Sequence, residues 1–233
     1  MDFFISTKNR TDKEELMDDF SIGGDLLRDT LDKLENINRW LGGNLMTVKA
    51  LKKVLKNHPK EQELTIADIG CGHGDILRDV AKFGRKNGYK MKLIGMDANP
   101  TAIAYANELS TEFPELSFKT EDIFSEAFKN RKFDVVLATL FLHHFKEAQL
   151  ASFLGNTLKQ TKIGIVVNDL HRHKLAYYLF MLLSVFIKNN MIIEDGLTSV
   201  LRGFKRNELV HISKKLKVKP QISWKWAFRF QWI

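Results

Sequence analysis

The stretch Ile66-Ala67-Asp68-Ile69-Gly70-Cys71-Gly72-His73-Gly74 decides how this chain is read. A short apolar run around one acid predicts a buried strand over about 64–69. Three glycines then alternate with other residues, and Ile76, Leu77, Val80 and Ala81 follow at helical spacing. Glycine permits a sharp bend and lets a ligand come close to the backbone, so strand, glycine turn and helix in this order predict a nucleotide-cofactor turn. A second apolar run, Leu93-Ile94-Gly95-Met96, ends in Asp97, an acid suited to accept hydrogen bonds from both hydroxyls of a ribose.

The glycine spacing narrows the cofactor. A dinucleotide fingerprint, GxGxxG, would need its third glycine at position 75, where this chain has Asp75. The third glycine is Gly74, giving GxGxG without a dedicated pyrophosphate turn. An adenosine cofactor lacking phosphates fits better.

On Asp68, Ile69, Gly70, Gly72 and Gly74 the chain resembles the class I S-adenosylmethionine-dependent methyltransferases. Three further matches follow in the family's order. They are Asp97, then Glu121-Asp122-Ile123, then the strand Phe133-Asp134-Val135-Val136-Leu137-Ala138 running into Thr139-Leu140-Phe141-Leu142-His143-His144-Phe145. Members acting on substrates other than nucleic acid often carry an LHH segment at this last place. The resemblance covers roughly residues 64–170. It implies S-adenosyl-L-methionine as cofactor and S-adenosyl-L-homocysteine as product. It implies cofactor contacts from Asp68, Gly70, Cys71, Gly72, Gly74, Asp97, Ala98, Asp122, Ile123, Ala138 and Thr139, with an acid near Asp122 on the adenine amino group.

The remaining elements predict an α/β fold. It is a Rossmann-like doubly wound sheet of mostly parallel strands, with an antiparallel pair at its C-terminal end. Strands are predicted at about 64–69, 91–96, 116–118, 133–139 and 163–167. Asn99-Pro100 reads as a helix cap followed by proline at the first helical position. Upstream, Leu27, Leu31, Leu34 and Ile37 form one helix face, Gly42-Gly43 breaks it, and a second helix starts at Asn44 or Thr47. Residues 1–60 are therefore expected to form an N-terminal helical cap on a methyltransferase domain of residues 61–233. Within that domain 171–203 would be a helical lid. The apolar run Leu175–Ile187 is too short to span a membrane and reads as a buried or cap helix. Trp224, Trp226, Phe228, Phe230 and Trp232 alternate with other residues, predicting a strand or hairpin with one aromatic inner face.

Composition sets bounds. The chain has 233 residues, 44% of them apolar, enough for one sizeable core. A single cysteine excludes a disulfide framework, and the start Met1-Asp2-Phe3-Phe4 does not read as a secretory leader, so a cytoplasmic setting is expected. The formal charge of +8 raises nucleic acid or an anionic membrane as partners. The basic residues are scattered, however, and no RNA-binding module signature is present. Amino-directed nucleic-acid methyltransferases of this fold carry Asn/Asp-Pro-Pro-aromatic after the fourth strand, where this chain has Ala138-Thr139-Leu140-Phe141. Nucleic acid is thus disfavoured, peripheral membrane contact stays open, and no oligomeric state is assigned.

Methyl transfer from a sulfonium is an in-line displacement with a neutral leaving group, so positioning supplies most of the catalysis and no metal is required. A hydroxyl acceptor gains from a base of near-neutral pKa, the range of histidine. Three candidates stand at strand ends: His144, and His171 and His173 in Asn168-Asp169-Leu170-His171-Arg172-His173, a turn resembling those of small-molecule methyltransferases near polyketide pathways. There Asp169 would orient His171 and Arg172 would hold an acidic substrate. His143, Tyr177, and Arg39-Trp40 are the other substrate candidates, whereas His58, His73 and His211 read as surface or loop residues. The expected function is methylation, with oxygen favoured, of a small, largely apolar acceptor of aromatic or polyketide-like type. An RNA methyltransferase and a non-catalytic S-adenosylmethionine-binding regulator are the alternatives.

Overall fold

A computed structural model describes residues 5–233; Met1–Phe4, on which the leader reading rests, lie outside the described residues. Seven strands form one sheet in the order β3-β2-β1-β4-β5-β7-β6. They are β1 (Leu64–Ile69), β2 (Met91–Asp97), β3 (Leu116–Thr120), β4 (Phe133–Thr139), β5 (Thr161–Leu170), β6 (Ile222–Lys225) and β7 (Arg229–Trp232). The first five pair in parallel, and β7 runs antiparallel to both β5 and β6. Chain order reverses between β1 and β4, and the carboxyl ends of strands at such a reversal open a crevice for ligands.

Period-two alternation divides the central strands between two cores. Ile66, Leu93, Val135, Leu137 and Val166 face one side. That side is closed by Ala50 and Leu51 of α2 (Gly43–Val54) and by Ile76, Leu77, Val80 and Ala81 of α3 (Asp75–Asn87). Ala67, Ile94, Val136, Ala138 and Val167 face the other, closed by Phe153 and Leu154 of α6 (Glu147–Gln160) and by Leu209 and Ile212 of α9 (Arg206–Lys215). A third cluster seats Leu27 and Leu31 of α1 (Gly24–Trp40) on Ala102 of α4 (Pro100–Leu109). Asn99 caps α4 by accepting from the N–H groups of Thr101 and Ala102, ahead of Pro100. Helix α5 (Glu126–Lys129) is a single turn.

The N-terminal region differs from an all-helical cap. Residues 5–22 are a largely extended strap with one 3-10 turn, Leu16–Asp18. Helix α2 is part of the core beneath the sheet, because its Ala50 and Leu51 are fully enclosed. Helices α7 (Lys174–Ser184) and α8 (Asn190–Arg202) follow β5, and α8 packs against the strap.

Two expectations change. The aromatic row at the C-terminus is split by a turn in which Ala227 and Phe228 have positive φ. Phe230 and Trp232 enter the core, whereas Trp224 and Trp226 are 50% and 72% exposed at the sheet edge. Of the expected strand or hairpin the hairpin forms, and its reversal divides the single aromatic face between core and sheet edge. The apolar run on α7 is not buried either. Leu175, Leu179, Leu182 and Phe186 lie on one exposed stripe, while Ala176 and Ser184 face inward. No helix among the described residues is long and apolar enough to cross a membrane.

Candidate active site

A crevice of about 1380 Å³ opens at the carboxyl ends of β1, β2 and β4. Its floor is the glycine turn. Gly70, Gly72 and Gly74 all have positive φ, which L side chains rarely adopt, so three glycines make this bend without strain. Gly70, Cys71 and Gly72 line the crevice. Gly74 is not among the lining residues; a Cβ there would stand 2.6 Å from the Phe118 ring, so its role is packing.

Asp97 is bound to the turn. Its Oδ2 accepts from the Gly72 N–H at 2.9 Å and its Oδ1 from the Asn99 N–H at 2.9 Å. Asp68 lies beneath, with a buried Oδ1 that has no hydrogen-bond partner. Burial pushes the Asp68 carboxyl well up, and Asp75 and Asp97 add to the push. Burial also raises Asp75 and Asp97. This end of the crevice therefore gathers three carboxyl groups whose ionised forms burial disfavours, around an orphaned buried oxygen. It suits a ligand carrying positive charge beside a ribose, as a sulfonium amino acid nucleoside does. Ala98, Asp122, Ile123 and Thr139 also line the crevice, whereas Ala138 is enclosed in the core. Thr139 is fixed from below by the Thr47 hydroxyl at 3.1 Å.

The opposite end carries histidines. After β4 the chain bends at Leu140, which has φ of 51°, and enters the 3-10 turn Leu142–His144. A non-glycine residue held in this region marks a bend imposed by its surroundings. His143 Nδ1 lies 2.7 Å from Asp169 Oδ1, and its main-chain N–H donates to Asp169 Oδ2. His144 Nδ1 lies 2.6 Å from Asp18 Oδ1. The two rings are 4.3 Å apart, and both Nε2 atoms face Glu15, at 3.5 Å from Oε1 and 4.0 Å from Oε2. Burial raises the Glu15 carboxyl to about 7, opposed by His144 and by the Ser199 hydroxyl. Burial alone would raise Asp18, but His144 and Arg202 together hold it below the usual range.

The strap is locked over these rings. Asp195 of α8 accepts from the Leu16 and Met17 N–H groups at 2.6 and 3.0 Å. Arg202 donates to Asp18 at 2.6 Å and to the carbonyls of His143 and His144. Arg10 donates to the carbonyls of His143 and Arg202. Glu15, Asp18, Asp195 and Arg202 had no signal in the sequence. Their spacing matches no motif, and they meet only because a largely extended segment crosses the crevice. The pattern S/T-x-x-E that would mark such a turn is here Glu15-Leu16-Met17-Asp18, with acids at both ends.

Other candidates lie elsewhere. Asp169 orients His143 rather than His171: its Oδ1 lies 2.7 Å from the His143 Nδ1, whereas His171 Nδ1 accepts from Trp224 Nε1. His171 packs between His173 and Phe230, accepts from Trp224 Nε1 at 3.3 Å, and is pushed down to about 4, chiefly by burial. His173 caps α7 by accepting from the Leu175 N–H, and it stacks on Phe228. Arg172 is fully buried; it grips Glu208 with two nitrogens and donates to the carbonyls of Thr7, Lys8 and Gly203. Arg39 pairs with Glu35 and Asp79, Trp40 is 75% exposed, and Tyr177 packs edge-on against Tyr178. None of these six lines the crevice. His73, read as a loop residue, is buried 3.0 Å from Glu35 and holds that carboxyl down to about 2.

With this geometry in view, comparison with known proteins is direct. Residues 66–164 match the family model described as a methyltransferase domain. A ubiquinone biosynthesis O-methyltransferase of Rickettsia canadensis is 28% identical over 141 residues, 59% of this chain and 56% of the relative. A second, from Rickettsia bellii, is 26% identical over the same length. The chain thus spans little more than half of the curated relatives it matches. Among solved structures, the plantazolicin methyltransferase BpumL in complex with S-adenosylhomocysteine superposes with a TM-score of 0.61 at 19% identity, covering 86% of this chain and 73% of that one. The magnesium protoporphyrin IX methyltransferase of Synechocystis PCC 6803 with bound S-adenosylmethionine gives 0.56 at 12%, covering 84% and 80%. The CurJ carbon methyltransferase gives 0.62 at 14%, covering 81% and 52%. These likenesses establish the shared fold.

Proposed function

Because this chain carries a methyltransferase domain of the class I, S-adenosylmethionine-dependent family, we propose that it methylates a small, largely apolar acceptor, aromatic or polyketide-like, at oxygen. The observation that carries this reading is one crevice with an acidic glycine-turn end and a carboxylate-oriented histidine pair at the other.

Bound S-adenosylmethionine supplies a methyl group already activated on sulfur. Asp97 and the Gly70–Gly72 turn would hold the nucleoside, with Asp68 beneath them and Asp122 and Ile123 flanking the base. The chain's remaining task is to align an acceptor oxygen and remove its proton, which positioning and a base accomplish. Asp169 and Asp18 hold each imidazole through Nδ1, leaving both Nε2 atoms turned toward Glu15 on the crevice wall. His144 is the more accessible ring and is assigned as the base, with His143 beside the acceptor. Leu27, Leu31, Phe141 and Phe180 supply apolar walls, which favour an aromatic or hydrocarbon acceptor over a sugar or nucleotide.

The O-methylating relatives support oxygen as the accepting atom. The exposed stripe Leu175, Leu179, Leu182 and Phe186, flanked by Lys174 and Lys188, supports peripheral contact with an anionic membrane that would deliver such an acceptor. Calorimetry with S-adenosylmethionine, S-adenosylhomocysteine and NAD tests the cofactor. Micromolar binding of both sulfur compounds and none of NAD is expected. A screen of phenols and polyketide acids with labelled methyl donor tests the acceptor. Turnover restricted to RNA, or cofactor binding without turnover of any acceptor, would overturn it in favour of an RNA enzyme or a regulator.

A further inference from the structure

We propose that Glu15, His143 and His144 form a binding site for a divalent transition-metal ion at the acceptor end of the crevice. Three features of the geometry point there. One ligand atom from each residue lies within 4.8 Å of the other two, and all three residues line the crevice. Both histidines have Nδ1 held by a carboxylate, Asp169 at 2.7 Å and Asp18 at 2.6 Å. That arrangement fixes the tautomer and turns each Nε2 lone pair toward Glu15, as outer-shell carboxylates orient histidines in metal sites. Finally, Glu15 is 6% exposed, and its buried Oε1 has no hydrogen-bond partner although it faces the His143 Nε2 at 3.5 Å. One carboxylate oxygen and two ring nitrogens converging on one point form a donor set that a single cation lying between them would satisfy.

The surroundings fit a cation. Glu15, Asp18, Asp169 and Asp195 converge here, against three guanidinium groups, Arg10, Arg202 and, beside Asp169, Arg229. Arg202 pairs only loosely with Glu15. It stands 3.8 Å from Oε1 and spends its nitrogens on Asp18 and on the carbonyls of His143 and His144. Ser199 donates to Glu15 Oε2 at 2.6 Å, which aims Oε1 at the rings.

Two imidazoles and one carboxylate select zinc, cobalt, nickel or iron over magnesium, which prefers all-oxygen shells. Ligand bonds of roughly 2.0–2.1 Å to zinc place tetrahedral ligands about 3.3 Å apart, so binding would draw the 4.8 Å triangle inward by about an ångström. Three protein ligands leave a fourth position open to the crevice, the pattern of catalytic rather than structural sites. An acceptor hydroxyl in that position would lose its proton to crevice water near neutral pH, and its oxygen would be held toward the cofactor end. In the loaded protein this replaces proton removal by His144. The consequence for the acceptor rests on the methyltransferase reading; the binding of the ion does not.

The test uses the full chain, stripped with chelator and titrated with Zn²⁺, and separately with Co²⁺ followed by its visible absorption. One site of micromolar or tighter affinity is expected, with a four- or five-coordinate cobalt spectrum and weak binding of Mg²⁺. His144→Ala and Glu15→Gln should each weaken Zn²⁺ at least 30-fold while keeping S-adenosylhomocysteine affinity and the far-ultraviolet dichroism of the parent. His173→Ala removes one ring of the only other close histidine pair among the described residues and should leave Zn²⁺ affinity unchanged. Absence of one-to-one binding, or loss in His173→Ala with retention in His144→Ala, would overturn the site. Failure of the methyltransferase reading would register separately, as absence of S-adenosylhomocysteine binding.

Discussion

Asp169 holds His143 by two bonds at once: its Oδ1 lies 2.7 Å from the ring Nδ1, and its Oδ2 accepts from the main-chain N–H of the same residue at 3.2 Å. One carboxylate at the end of β5 therefore sets both the ring tautomer and the turn after β4. Asp169→Asn should keep the fold and cofactor affinity but present an amide that no longer selects the Nδ1–H tautomer. Because the base, His144, keeps its own partner Asp18, the expected loss is about tenfold in kcat, below the roughly 10²–10⁴-fold a positioned base contributes, with KM for the acceptor changed less than threefold. A variant with unchanged kcat would remove His143 from the reacting end.

Asp97→Ala removes the acid that would hold the cofactor ribose and that also accepts from the Gly72 N–H. Hydrogen bonds to a charged group are worth about 1.5–3 kcal/mol each, so calorimetry should register S-adenosylhomocysteine binding weakened roughly 10–100-fold or more. Retained affinity would mean that the nucleoside is held elsewhere.

Gly74→Ala separates packing from ligand contact. The added Cβ would sit 2.6 Å from the Phe118 ring at a φ of +81°, combining a left-handed backbone with overpacking. A cost of about 2–4 kcal/mol is expected, read as a fall in Tm of roughly 5–15 °C. Below that transition, cofactor affinity should stay within about threefold, since Gly74 does not line the crevice.

His171 gives a pH signature of structure rather than catalysis. Its folded pKa of about 4 lies below the usual 6.5, because burial and the neighbouring His173 disfavour the charged ring. The unfolded chain then binds more protons between these values, so stability is full above about 6.5 and falls as pH drops toward 4. Since the ring is partly exposed, the change should be about 1–2 kcal/mol rather than the full shift. His171→Phe should flatten the stability profile in this window and keep more than half of the methyl-transfer rate. A collapse in rate with an unchanged profile would restore His171 as a base.

The strap depends on a buried ion pair. Arg172 holds the carbonyls of Thr7 and Lys8 while gripping Glu208. Glu208→Gln leaves a buried guanidinium uncompensated. The expected cost is about 2 kcal/mol, less than for a fully enclosed pair because Glu208 is partly exposed. Limited proteolysis should then cut within residues 5–22 before the rest of the chain, and an unchanged cleavage pattern would show the strap to be held by Asp195 and Arg202 instead.

Legibility in the sequence followed the length scale of each signal. β1 and β4 lie where apolar runs put them, and Asn99-Pro100 caps α4, because strand burial and helix capping are decided by neighbours in sequence. The glycine-turn end of the crevice was readable for the same reason: Gly70, Cys71 and Gly72 are contiguous, and Asp97 closes the next strand. The C-terminal segment was legible as a strand or hairpin but not the place of its turn, since the reversal at Ala227 and Phe228 carries neither glycine nor asparagine. His171, Arg172 and His173 attracted a functional reading by their density, their place at a strand's carboxyl end and a short resemblance to a methyltransferase turn. Their composition is equally that of a buried ion pair, a helix cap and an aromatic contact.

The sequence by itself determined the parallel sheet, the glycine turn with its acids, and the histidines after β4, because each depends on residues within one strand and its following turn. Only the tertiary structure decided which carboxylates serve those histidines. Asp169 comes from β5, and Asp18 and Glu15 come from a strap more than a hundred residues away in the chain. Such partners are chosen by where side chains can bury charge against one another after the sheet has formed, and neither periodicity nor spacing encodes that choice.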